Sequence, residues 1–246
     1  MPRITNAQSA LAPSAGLFCA MLAATALAGP AQAIASPAPG ITGVWLLTPS
    51  EYDRRDDMPL TAQASVIDAA QRKAVEEQGQ VLSDNAKRCL PIGMPTFMVN
   101  EFALEILETK DRVTMVSEYS PLARSIYLGE KTHTPDLEPS WNGHSIGHWQ
   151  GRTLVVDTVN FNDRLKPVST AGIHSPTTHL VEKIYLKSPD TLVDEMTFDD
   201  PNVLTRPWTK VHTYHRVKPP AELWEYVCEA DAPGWSQRYA GDPPPK

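Results

Sequence analysis

The chain has 246 residues and a formal net charge of −7; 41% of its residues are hydrophobic and 21% charged. An acidic chain has no electrostatic reason to bind nucleic acid or an anionic membrane surface, so neither is expected as a partner. The length suits one domain behind a leader, burying about 70% of the unfolded chain's surface.

Residues 1 to 33 carry one charge, Arg3, then the apolar run "GLFCAMLAATALAG" and the small-x-small pattern Ala31-Gln32-Ala33. That order predicts a secretory signal peptide, with a single domain over 34–240 and a Pro-rich, disordered tail "GDPPPK" over 241–246. Cys19 follows Leu17-Phe18, where a lipoprotein signal needs small residues, so a lipid anchor is the lesser alternative. The expected location is periplasmic or secreted. Loss of Arg3 with the leader leaves 21 basic against 29 acidic side chains, a charge of −8. Cys89 and Cys228 then remain, an even count in an oxidising compartment, which favours a disulfide over two buried thiols. Closing so long a loop stabilises by about 4 to 5 kcal/mol on the chain-entropy model.

"ITGVWLLT" (41 to 48) alternates and is rich in β-formers, so it opens the fold as a strand. From Leu60 to Lys87 Ala64, Ile67, Ala70 and Ala74 recur at helical spacing, and Pro91 stops the pattern. Strands follow at 102–109, 112–119, 124–129, 144–149, 153–161, 178–187, 191–200, 208–217 and 222–228, mostly with tight turns. Nine or ten short strands and one helix predict a mainly β fold: an antiparallel lipocalin-like β-barrel with one N-terminal helix. A barrel of this size either fills with side chains or holds one small ligand.

Several stretches resemble a family of secreted bacterial proteins: "RCLPIGMP", "YLGEKTHTPDLEPSWNGHSIGHWQGRTLVVDTVNFND", "IHSPTTHLVEKIY", "TFDDPNVLTRPWT" and "EYVCE". The family strings run close to GHSIGxWxGDTLVVDTxGFND, PHSxxxHxxERY and TIDDPxxYTxPW. The resemblance spans about Arg88 to Cys228 and implies export, without implying any activity. Three departures stand out: Arg152 in place of Asp, "LKPVST" in place of Trp-Leu-Asp, and Ile173 in place of Pro. Gly43-x-Trp45 is similar to the opening of lipocalin and fatty-acid-binding barrels, which bears on architecture alone.

All seven histidines lie between 133 and 215. His144 and His148, four apart in a strand, share a face with Ile146, and that face is expected to be the barrel interior. His174 and His179 form a second pair, interrupted by Pro176. Three readings stand. The first is acid/base catalysis of the lyase or isomerase type on a small apolar or aromatic molecule in a barrel cavity. It would use His144, His148, His174 and His179 with Arg124 or Tyr127, accompanied by Tyr185 and Asn160. The second is a histidine-ligated transition metal with Asp157 or Asp163 in support, although His-x3-His spans ~13 Å along an extended strand. The third is a non-catalytic lipocalin-like carrier in which histidines are satisfied polar groups; His212 and His215 then read as surface strand residues. No cofactor is expected unless the metal reading holds, and the oligomeric state is left open. Asp199 and Asp200 before Pro201 suit a turn better than a glycosidase pair. The six tryptophans default to core or cavity lining, and Met94 and Met98 point only faintly to copper. No nucleophile elbow, phosphate loop, dinucleotide fingerprint or His-Glu-x-x-His is present.

Overall fold

The computed structural model describes residues 40–51, 58–78, 89–120, 122–166, 168–169 and 172–228. The expected signal peptide over 1–33, the expected tail over 241–246 and Trp235 lie outside these residues. Nine strands form one closed barrel in chain order: β1 (Gly43–Leu47), β2 (Leu104–Glu108), β3 (Arg112–Ser117), β4 (Arg124–Tyr127), β5 (His144–Gln150), β6 (Thr153–Val159), β7 (His179–Ser188), β8 (Thr191–Asp199) and β9 (Trp208–Arg216). The sequence's period-two patterning is the cause: in β6, Leu154, Val156 and Thr158 are buried while their neighbours are half-exposed.

Closure comes from β1, which pairs with β2 on one side and β9 on the other, with Trp45 opposite Arg216 and Leu47 opposite Tyr214. The Arg216 guanidinium lies 4.1 Å from the Trp45 ring centroid, and Trp45 Nε1 donates to Ile41 O at 2.9 Å. With β1 and β9 each paired on both edges, the sheet has no free edge there. Residues 222–228, expected as a further strand, are therefore not in the sheet. They run along the outside, held by the Cys89–Cys228 disulfide (Cα–Cα 5.6 Å) and by Trp224 N–H donating to Glu118 Oε1 at 2.7 Å.

One pair of strands departs from the meander. β4 and β5 are parallel, with Ile126 opposite Ser145 and Tyr127 opposite Ile146. Parallel neighbours need a crossover, so residues 128 to 143 must return from the end of β4 to the start of β5. Ser140 N–H donating to Asn160 O and Asn160 Nδ2 donating to Leu137 O, at 3.1 and 2.9 Å, pin that crossover to the end of β6. Asn160, expected inside the barrel, is thus an anchor for the loop.

The helix α1 (Ala62–Gln78) starts where the sequence predicts, with Thr61 Oγ1 accepting from Ala64 N–H at 3.3 Å as an N-cap. Thr61 N–H donates to Val203 O, and Ala64 is buried, but Ile67 and Ala70 on the expected apolar face are exposed. Among its described side chains the buried ones are Ala64 and Asp68, in its first two turns. Among the described residues no helix is long and apolar enough to cross a membrane.

One hydrophobic cluster runs through the barrel and into the segment 92 to 99, where Met94, Phe97 and Met98 are buried and Tyr214 Oη donates to Met98 O at 3.1 Å. Both methionines are core residues. The Asp200 carboxylate, buried, accepts from Ser175, Thr177 and Thr178 hydroxyls and from Asn202 N–H, tying the loop before β7 to the turn after β8. Turn formation therefore accounts for Asp199-Asp200-Pro201.

Candidate functional site

The expectation that His144 and His148 face the barrel interior is overturned. Ser145 and Gly147 are the buried positions of β5, and His144, Ile146 and His148 lie on the outer wall. The inward side is occupied from β4. Arg124 Nη2 donates to Ser145 Oγ at 3.3 Å, and a Cβ at Gly147 would sit 2.8 Å from Ile126 Cγ2. Gly143 fixes the entry to the strand: its φ is 68°, and a Cβ there would meet Val159 O at 2.7 Å.

On the outer wall the crossover brings its own side chains down onto β5, β6 and β7. His133 Nδ1 lies 2.8 Å from His144 Nδ1, and His133 Nε2 lies 3.0 Å from Asp157 Oδ1. His179 Nε2 reaches the same Asp157 oxygen at 3.0 Å, while His144 Nε2 is 3.4 Å from Glu130 Oε2. The Tyr127 ring stacks on His144 at 5.5 Å, and Arg112 lies over Tyr127. The result is a continuous chain, Glu130–His144–His133–Asp157–His179. Burial, then the neighbouring His133 ring, pushes His144 below the usual histidine range, and Glu130 opposes this in part.

Beside the chain runs a groove of about 510 Å³ with an apolar floor from Leu128, Ile146, Val155 and Val181. Glu130, Lys131, His148 and Asp157 supply its polar edge. That size and composition suit a small molecule with one polar end. Among the described residues no three His, Cys, Asp or Glu side chains are placed to hold one metal ion. Asp163 is exposed and makes no contact with this chain of side chains, and partly buried Tyr185 instead donates its hydroxyl to Glu195.

The barrel interior holds a different set of charges. Arg124 forms a two-pronged ion pair with Glu182, Nη1 to Oε1 at 2.8 Å and Nη2 to Oε2, and Nη2 also reaches Thr158 Oγ1 at 3.2 Å. Burial alone would lower the Arg124 pKa, but Glu182 overrides it and the value is raised. Asp194 is held well above the usual carboxylate range by burial and then by Glu182, against the opposing pull of Arg124. Ile184, Met196, Glu182, Asp194 and His212 are each 0% exposed, so no water-sized space lies against them. The expected histidine-lined barrel cavity is filled at these levels. His212 is correspondingly an interior residue and not a surface one, because it alternates with exposed Val211 and shares the face of Trp208 and Tyr214.

His174 belongs to neither set. It is 3% exposed, with Nδ1 2.6 Å from Met94 O, Nε2 3.4 Å from Asn162 Oδ1, and its ring against Phe161. Burial lowers its pKa, and its contacts join the 92–99 segment to the loop before β7. Of the six predicted catalytic residues, Tyr127, His144, His148 and His179 share the outer wall, while Arg124 lies inside the barrel and His174 beneath it.

No protein-family model matches the chain, and no curated protein does so. Among solved structures it is similar to apo lipid binding protein 8 of Caenorhabditis elegans, at a TM-score of 0.36 and 12% identity over 75% of this chain and 100% of that one. It is also similar to wild-type fluorescent protein UnaG, at a TM-score of 0.34 and 16% identity over 72% of this chain and 97% of that one. The barrel assignment rests on the strand pairing itself.

Sequence reasoning missed His133 and Glu130. Both lie in the polar stretch after β4, which has no periodicity, and only the parallel crossover carries them to His144. A histidine within a loop joining strands of opposite or equal sense is the one signal available, and it needs the strand order to be read.

Proposed function

We propose that this chain binds a small, largely apolar or aromatic molecule in the groove on the outer wall, not in the barrel interior. The observation carrying this is the groove's makeup, apolar Leu128, Ile146, Val155 and Val181 beside titratable Glu130, His148 and Asp157. The filled interior supports placing the ligand outside. The disulfide between Cys89 and Cys228 supports an exported setting, periplasmic or secreted.

A second reading is acid/base catalysis of the lyase or isomerase type at the same groove. It is favoured by the Asp157 carboxylate oxygen that two imidazoles share, an arrangement in which a base is steadied by neighbouring donors. The metal reading has less support, given the donor geometry of the described residues.

A screen of small aromatic and apolar compounds by amide NMR tests the location. Saturable shifts at Ile146, Val155 and Val181 that vanish in Val155→Asp are expected. Shifts confined to Leu180, Phe198 and Trp208 would move the ligand into the barrel and end the outer-wall reading. For a ligand that is also turned over, Asp157→Asn should keep binding and lower turnover by ~10² to 10⁴; unchanged turnover leaves a binding protein.

A further inference from the structure

The segment that the disulfide holds against the barrel closes off a second recess, in which no histidine takes part. It measures about 280 Å³, and Glu118, Tyr119, Tyr226 and both half-cystines, Cys89 and Cys228, are among the residues lining it. No Lys, Arg or His lines it. Glu118, just beyond the end of β3, is held in place by the backbone: Oε2 accepts from Ala103 N–H at 3.1 Å and Oε1 from Trp224 N–H at 2.7 Å. These donors orient the carboxylate without supplying a counter-charge. Among the described residues no Lys, Arg or His comes within ion-pair distance of it, nor of Glu101 nearby.

The rings beside Glu118 form a self-supporting set. Phe102 stacks on Tyr119 with centroids 4.8 Å apart, and Tyr226 leans against both at 5.7 and 5.0 Å, so the set needs no ligand to keep its shape. Burial raises the Tyr119 pKa, the Tyr226 hydroxyl opposes the rise and the Glu101 carboxylate adds to it, so the ring stays neutral. Val227, which lines the recess, and Trp224, in the same segment, are 56% and 73% exposed. Large apolar side chains are thus left uncovered in the segment that forms one wall.

A carboxylate without a counter-ion repels an anion and gives a neutral apolar molecule nothing to pair with. A cation is attracted twice, by Glu118 and by the negative faces of the rings. One carboxylate among aromatic rings offers too few oxygen donors for a metal ion, and no three His, Cys, Asp or Glu of the described residues come together to hold one. The cation therefore has to bring its own hydrocarbon. We propose that this recess binds an organic ammonium ion with small alkyl substituents, its charge set between Glu118 and the rings of Tyr119 and Tyr226. The disulfide then has a second use, since it keeps the Tyr226 wall against the Tyr119 wall. The site is independent of the outer-wall groove and of whatever that groove binds.

The test compares choline with 3,3-dimethylbutan-1-ol, which has the same shape with carbon in place of the charged nitrogen. In NMR titrations of the oxidised full chain, choline should shift the ring signals of Tyr119 and Tyr226 saturably, and the neutral alcohol should bind at least ~10-fold more weakly. Equal affinities overturn the proposal, as do shifts confined to the outer wall or no shifts with choline far above the millimolar range. Tyr226→Leu keeps apolar bulk but removes a ring, and should cost choline ~10-fold while changing the alcohol little. Should that variant release the segment from the barrel, Glu101→Gln reads the field without touching a packed residue: choline should weaken about twofold and the alcohol not at all. Choline affinity unchanged in both variants overturns the assignment.

Discussion

Strands β4 to β7 carry ionisable or polar groups on both faces, and the two faces use them differently. Inside, Arg124 and Glu182 are 1% and 0% exposed and meet in a two-pronged pair, with Ser145 and Thr158 completing the donors and acceptors. Outside, His133, His144, Asp157 and His179 are joined in a row by one-pronged contacts at 2.8 to 3.0 Å, and Asp157 and His179 stay nearly half exposed. The same chemistry is therefore locked on one side and open to protons and ligands on the other. Burial makes the difference, because a charge without water must keep its partner, whereas one at the surface can exchange it.

The largest expected effect breaks the inner side. Glu182→Gln leaves the Arg124 charge buried without its carboxylate and should destabilise the protein by about 3 to 5 kcal/mol in urea unfolding. The double change Arg124→Met with Glu182→Met should recover most of that loss. A single substitution costing under ~1 kcal/mol would show the pair to be far less confined than its burial implies.

A smaller effect sharpens the comparison through pH. Folded Asp194 holds its proton above the usual carboxylate range. The unfolded chain releases that proton near pH ~4. Between those two points the folded state binds more protons than the unfolded one, so stability falls as pH rises and levels off above the folded value. Asp194→Asn removes the titration while keeping a neutral group of similar shape. The variant should gain on the parent protein as pH rises from about 4 to 8, read as unfolding free energy against pH; parallel curves would mean Asp194 is ionised in the fold.

The smallest effect on stability should come from the outer wall. His179 is 45% exposed, so His179→Ala should change unfolding free energy by no more than about 0.5 kcal/mol. Its consequence belongs in ligand binding or turnover at the groove. A loss above ~2 kcal/mol would make the outer chain structural like the inner one and erase the contrast.

Particular residues show what could be read beforehand. The helix start near Leu60 and all nine strands of the barrel declare themselves through helical spacing and alternation, which depend only on neighbours in sequence. The shared face of His144, Ile146 and His148 follows from the same period of two. Which face that is does not, since "HSIGHW" sets apolar Ile146 between two histidines on one face and small Ser145 and Gly147 on the other, and the choice was made by Arg124 and Ile126 arriving from β4. His212 was misplaced for a related reason: a polar residue in an alternating strand reads as outward until a buried network such as the one around Asp194 and Glu182 is known.

By itself the sequence determined the class of fold, the alternation that makes the strands, the acidic surface and the pair of cysteines available for a crosslink. These are properties of composition and short-range period, and they survive without knowing which strand lies beside which. Tertiary structure decided the rest. Closure of β1 onto β9 excluded residues 222–228 from the sheet, and the parallel step from β4 to β5 folded Glu130 and His133 onto Asp157 and His179. Contacts between residues tens of positions apart depend on strand order and on which face water is excluded from, and no local pattern encodes either.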